Sequence, residues 1–229
     1  MKVQLAIASM AVGLCATTSL AGFTNENLAS WHGEAGTSYH MFESFSDPAG
    51  GANLALFGNG NFVEDNADGG HSVALFNFGP GAIIASSGNL YGAGGALNTH
   101  TYGYTDTDTT GVHVNVSTMG NPYDPNSISL VYETAEGGSG FMGGFMADFS
   151  MNYDATSPWG GASQNFSYSF DLSSIEGTVT SFGFFMEASA SNMSLDALSI
   201  DIQSAVVPAP AALALLGLAG VAGRRRRRN

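Results

Sequence analysis

A chain of 229 residues carries six Lys and Arg against nineteen Asp and Glu, a formal net charge of −13, with one cysteine. The six cations are Lys2 and Arg224 to Arg228, so residues 22–206 hold every acid and no Lys or Arg, with only five histidines to pair them. Such a field repels nucleic acid, anionic lipid and phosphorylated ligands, and it excludes kinase, nucleotide-binding and nucleic-acid functions, because phosphate recognition leans on Arg, Lys or a bound metal.

Residues 1–21 read as a secretory signal peptide. Lys2 is the positive n-region, residues 3–16 are the apolar segment, and Ser19-Leu20-Ala21 is a small-x-small cleavage box. Cleavage is therefore expected between Ala21 and Gly22. Cys15 follows Leu14, where a lipobox needs a small residue, so a lipoprotein is not expected. The cysteine leaves with the signal, and the mature chain has no disulfide although an exported compartment would permit one. About 185 residues remain, long enough for one domain with a core.

Residues 22–203 read as that single domain, and they carry no helical period longer than two turns. Strand-like alternation recurs instead. It runs over 39–45, then 53–57 and 72–78, both apolar on two faces as covered strands would be, then 82–85. Val112, Val114 and Val116 face opposite to His113, Asn115 and Ser117. Ile128, Leu130 and Tyr132 form the next stripe; Phe145, Ala147, Phe149, Met151 and Tyr153 form the longest. Phe166, Tyr168, Phe170 and Leu172 follow, then Phe182, Phe184 and Met186 facing inward. Leu198, Ile200 and Ile202 close the domain with Ser199 and Asp201 outward. The expected fold is all-β: an antiparallel β-sandwich or jelly roll of about nine or ten strands, flanked by an N-terminal signal helix and a C-terminal transmembrane helix. No fixed-period repeat points to a propeller or solenoid. Residues 179–184 and 194–200 resemble the closing strands of extracellular carbohydrate-binding-type jelly rolls, which implies a glycan-binding module as one function.

The acids must be solvated, hydrogen-bonded or cation-bound. Asp106-x-Asp108-x-Thr110-Gly111 places oxygens at alternate positions before a glycine, as the first half of a calcium loop does, but Ser117 stands where an EF-hand needs a bidentate carboxylate. Glu64, Asp65 and Asp68 form a second acidic loop that a cation could screen. Calcium is the one candidate cofactor; the alternative at both places is a solvated turn. His32, His40, His71, His100 and His113 share no zinc-site spacing. A G-x-S-x-G elbow is absent, so no catalytic residue is assigned, and a spatially assembled carboxylate pair for glycoside hydrolysis stays open. Trp31 and Trp159, with Tyr91, Tyr102, Tyr104 and Tyr123, sit in loop-like surroundings, where they serve either sugar stacking or loop packing.

The remaining segment, 204–229, reads as an anchor. Residues 206–223 are uncharged over 18 positions. As a helix they reach about 27 Å at about 1.5 Å per residue, close to a hydrocarbon core of about 30 Å. The transmembrane helix is expected over about 208–223, with Pro208 and Pro210 at the end where a helix tolerates them. The arginine tail, 224–228, then holds the cytoplasmic side. Val207-Pro208-Ala209-Pro210, the Leu/Gly/Ala-rich span and Arg224, Arg225, Arg226, Arg227 and Arg228 together resemble the PEP-CTERM family of bacterial sorting signals, with Ala209 where that family's box has Glu. The resemblance implies an exosortase and the secretion machinery as partners, a membrane anchor before processing, and delivery to the cell surface or extracellular matrix. The passenger is expected to be a structural or adhesive, non-catalytic sandwich, with a glycan-binding module and a secreted glycoside hydrolase as alternatives and extracellular polysaccharide as a candidate partner.

Overall fold

Alternating apolar residues broken by Gly, Asn and Ser leave the chain no way to bury its hydrophobic side chains except as paired strands. A computed structural model of the chain describes residues 22–57, 61–63, 72–105 and 107–205. The signal segment with Ala21, the acids Glu64, Asp65, Asp68 and Asp106, His71, and the tail from 206 onward with its sorting motif lie outside the described residues.

The described residues form fourteen strands: β1 (Thr37–Phe42), β2 (Asn53–Phe57), β3 (Asn61–Val63), β4 (Ser72–Asn77), β5 (Ile83–Ile84), β6 (Leu90–Tyr91), β7 (Asn98–Tyr104), β8 (Thr109–Gly120), β9 (Ser129–Thr134), β10 (Ser139–Gly143), β11 (Asp148–Thr156), β12 (Ala162–Asp171), β13 (Val179–Glu187) and β14 (Met193–Ser204). All ten predicted segments have a counterpart. The four additions are β3 and β6, which are very short, and β7 and β10, whose patterns conceal them. All strand pairings are antiparallel.

The strands form two packed sheets. One runs β1-β14-β8-β12-β11, with β6 and β5 added beside one end of β14. The other runs β10-β9-β13-β7-β4. β2 pairs with β1 through Met41↔Leu56 and with β4 through Asn53↔Leu75, so one strand passes from sheet to sheet and closes that side. Between them Val112, Val114, Val116, Phe166, Phe170, Leu198, Ile200 and Ile202 of the first sheet meet Leu75, Leu130, Phe182, Phe184 and Met186 of the second, all 0–2% exposed. Gly103 shows how tightly they fit: a Cβ there would lie 2.3 Å from the Phe182 ring, so only glycine admits that cross-strand neighbour.

Two expectations fail at the surface. Ser199 and Asp201 do occupy the outer side of β14, yet they are 0% and 1% exposed. Residues 22–32 cross the outer face of the first sheet as a strap and cover them. The strap is wired by polar side chains: the Asn27 N–H donates to Asn115 Oδ1, its Nδ2 to Ser167 Oγ, and the Ala29 N–H to Asp201 Oδ2. His113, also expected on an open face, is buried between Ser169 Oγ and the Asn27 carbonyl. The second failure is the longest stripe. β11 is the edge of its sheet, so Phe149 and Met151 stay 50% and 41% exposed, and Phe145, in the 3₁₀ turn Gly144–Met146 before it, is 90% exposed. Periodicity reported the strand correctly, but an edge has no second neighbour to cover it.

Candidate functional site

Asp108 and Thr110 do not aim at a common point. The Asp108 carboxylate accepts the Val179 N–H at 2.9 Å, and the Thr110 hydroxyl donates to the Gln203 carbonyl at 3.3 Å. The first fixes the start of β13 and the second lies along β14. No group of three His, Asp or Glu side chains converges among the described residues.

The aromatic residues divide by use. Tyr123 is a packing residue, 6% exposed, stacked on Phe166 at 4.0 Å with its hydroxyl on that of Tyr168. Burial, with the Tyr168 hydrogen bond, raises its pKa far above that of a free tyrosine. Trp31 anchors the end of the strap against the outer face of β8, where a Cβ on Gly111 would come 3.5 Å from its ring. Trp159 is 87% exposed.

Trp159 stands at a cleft of about 850 Å³ at one end of the first sheet, lined also by Tyr91, Asn89, Asn121, Asn192, Ser194 and Asp196. The β11–β12 turn that carries it is closed by Ser157 N–H to Gly161 O at 3.0 Å and Gly160 N–H to Ser157 O at 3.1 Å. Gly161 has φ +73°, and a Cβ there would lie 2.1 Å from the Gly120 carbonyl oxygen, so the turn is wedged against the end of β8. Asp196 is 5% exposed, accepts from Asn89 Nδ2 and from Ser194 Oγ, and is the only charged side chain among the described residues of the lining. Burial pushes its carboxyl above the usual aspartate value, against the two hydrogen bonds that lower it.

The outer face of the second sheet carries a feature the sequence did not disclose. Phe76, His100 and Phe185 lie side by side on β4, β7 and β13, with Phe78 just beyond β4 and Tyr102 and Tyr104 further along β7. All of these rings but that of Tyr104 interlock: Phe78–His100 at 4.8 Å, His100–Phe185 at 4.4 Å, Tyr102–Phe185 at 5.9 Å and Phe76–Phe78 at 6.1 Å. Phe78 and Tyr104 are 52% and 58% exposed. A groove of about 450 Å³ runs among them, lined by Leu54, Phe76, Phe78, Tyr102 and Tyr104, with no charged residue among the described residues of the lining. Burial lowers the His100 pKa, opposed by the nearby Glu187 carboxylate. The available signal was the alternation His100, Tyr102, Tyr104 against Thr99, Thr101, Gly103, in which the aromatics face out and the small residues face in.

No protein-family model matches the chain, and no curated protein matches it.

Proposed function

We propose that this is an exported, exosortase-processed protein of the cell surface or extracellular matrix, whose sandwich works by adhesion and not by catalysis. The signal peptide, the anchor and the PEP-CTERM-like motif supply the route, and the jelly-roll form of the sandwich and the two terminal helices belong to the same proposal. The single observation that supports adhesion is the aromatic cluster on the outer face of β4, β7 and β13, which Glu187 borders at one end. Five interlocked rings, with Tyr104 beside them, border an apolar groove whose described lining carries no charge, on a body whose charged side chains are almost all acids, so an uncharged partner meets the anionic field least there. A glycosidase reading draws no support from the Trp159 cleft, because a glycosidase needs two carboxyl groups across the bond and the described residues of the lining offer Asp196 alone.

The test has two arms. Mass spectrometry of the protein released by producing cells should find an N-terminus at Gly22 and loss of the arginine tail; cytosolic protein with both ends intact refutes the route. Phe78→Ser with Tyr104→Ser should cut retention on the producer's own matrix at least tenfold without lowering Tm, since both rings are about half exposed. Unchanged retention refutes the adhesive face.

A further inference from the structure

We infer that the cleft at the end of the first sheet binds an uncharged oligosaccharide, with the Trp159 indole as its stacking surface. This goes beyond the adhesive face, which lies on the opposite sheet. Trp159 is a side chain the fold does not use. An indole offers about 150–250 Å² for burial, yet Trp159 stays 87% exposed on a turn closed by two backbone hydrogen bonds and a third from its own N–H to Ser157 Oγ at 3.2 Å. The turn is held by a glycine contact no other residue could make, so it is built to display the ring.

The opposite parts of the lining are equally specific. Asn192 is the one described non-glycine residue with a positive φ, 66°, and its side-chain oxygen accepts the Tyr91 hydroxyl at 2.8 Å. A backbone conformation of that kind persists where surrounding structure imposes it, and such residues gather at ligand sites. Asn89 and Ser194 hold Asp196, so the one carboxylate already has two donors. What the cleft offers a ligand is therefore amide and hydroxyl groups beside an exposed π surface. Amides and hydroxyls pair with sugar hydroxyls, and a sugar ring's C–H face lies on an indole. An acidic sugar would find no cation among the described residues there. About 850 Å³ falls within the range of about 300–1,000 Å³ of small-molecule sites, which accommodates a short oligosaccharide.

The test uses the full chain in a zwitterionic detergent, since alkyl-glycoside headgroups belong to the proposed ligand class. On a Trp31→Phe background the emission reports Trp159 alone. Neutral hexasaccharides of glucan, mannan, galactan and N-acetylglucosamine are titrated beside an oligogalacturonate. At least one neutral sugar should shift the emission to the blue saturably, and the acidic one should not. With both tryptophans otherwise native, calorimetry should show Trp159→Ala weakening that sugar at least tenfold at unchanged Tm, and Trp159→Tyr retaining part of the affinity. Absence of binding by every neutral sugar, preference for the acidic one, or equal affinity in Trp159→Ala overturns the inference. Phe78→Ser with Tyr104→Ser should leave the titration unchanged, so failure of the cleft and failure of the aromatic face are separately readable.

Discussion

Asp201→Ala is predicted to release the strap without unfolding the sandwich. The carboxylate is 1% exposed and accepts the Ala29 N–H at 3.1 Å and His32 Nδ1 at 2.5 Å. Its removal orphans a backbone donor on a residue that is 8% exposed, which costs about 1–3 kcal/mol. The His32 contact adds less, because that side chain is 34% exposed and pairs of this kind contribute about 0–1 kcal/mol. A loss of about 2 kcal/mol follows, and at about 1.4 kcal/mol per tenfold it accelerates hydrogen exchange at Ala29 about thirty-fold. The effect is local, since Asn27, Asn115 and His113 still tie the middle of the strap and the core beneath Asp201 is untouched. Exchange read by mass spectrometry over 23–34, beside thermal unfolding, checks it. If the whole loss were global, Tm would fall by about 4–8 °C for a domain of this size; a smaller fall with selective strap exchange is expected. Exchange at Ala29 within twofold of the parent, or a full fall in Tm without strap-selective exchange, refutes the reasoning.

Further consequences can be measured directly. Phe184→Ala empties a fully buried site that touches Phe170 and should lower unfolding free energy by about 3–5 kcal/mol in guanidinium titrations. Gly161→Ala drives a Cβ into the Gly120 carbonyl at a φ unfavourable to L-residues, and should cost about 1–3 kcal/mol or more, read as a fall in Tm. The Asp196 carboxyl has its pKa raised above the ordinary 3.8 by burial, so folding favours its protonated form; its contribution is present below pH 3.8 and is lost as pH rises through the raised value. Asp196→Asn should therefore gain on the parent in Tm above that window and show no gain below it. Added NaCl, up to about 0.5 M, should raise Tm, because screening relieves carboxylate repulsion while the described residues hold only the His32–Asp201 ion pair to weaken.

Much of the architecture was legible because period-two stripes translate directly into strands, and the stripes of β8, β12, β13 and β14 became the core. What the stripes could not convey was which face would be covered, and by what. Asn115, Ser199 and Asp201 look solvent-facing by residue type, yet a strap of the same polar character lies on them, and polar-on-polar burial leaves no apolar signature. Phe149 and Met151 look buried by type and are not, since edge position is a property of topology. β7 escaped because its inward residues are Thr99, Thr101 and Gly103, and its aromatics point outward. The Trp159 cleft was half legible. Trp159 in its loop-like surroundings was visible, but Tyr91, Asn89, Asn192 and Asp196 are separated from it along the chain, and only the pairing of β6, β8 and β14 assembles them.

The acids without cations show how this fold replaces ion pairs. Asp47 accepts the N–H groups of Ala49 and Gly51, Asp124 that of Asn126, Asp171 that of Ser173, and Glu136 that of Thr178. Asp47, Asp124 and Asp171 each close a local turn, and Glu136 ties the β9–β10 turn to the loop before β13, as Asp108 fixes the start of β13 and Asp201 fixes the strap. For Glu136 the Thr178 N–H, and for Asp171 the Ser173 hydroxyl and N–H, hold the carboxyl below its usual range. Carboxylates used this way stay charged, so the turns of the sandwich carry much of the negative field outward. Among the described residues the aromatic groove is lined by none of them, and the cleft holds a single one already bound by Asn89 and Ser194. A ligand bearing no charge meets least resistance at these two places, and that makes an uncharged polymer the natural counterpart of so acidic a body.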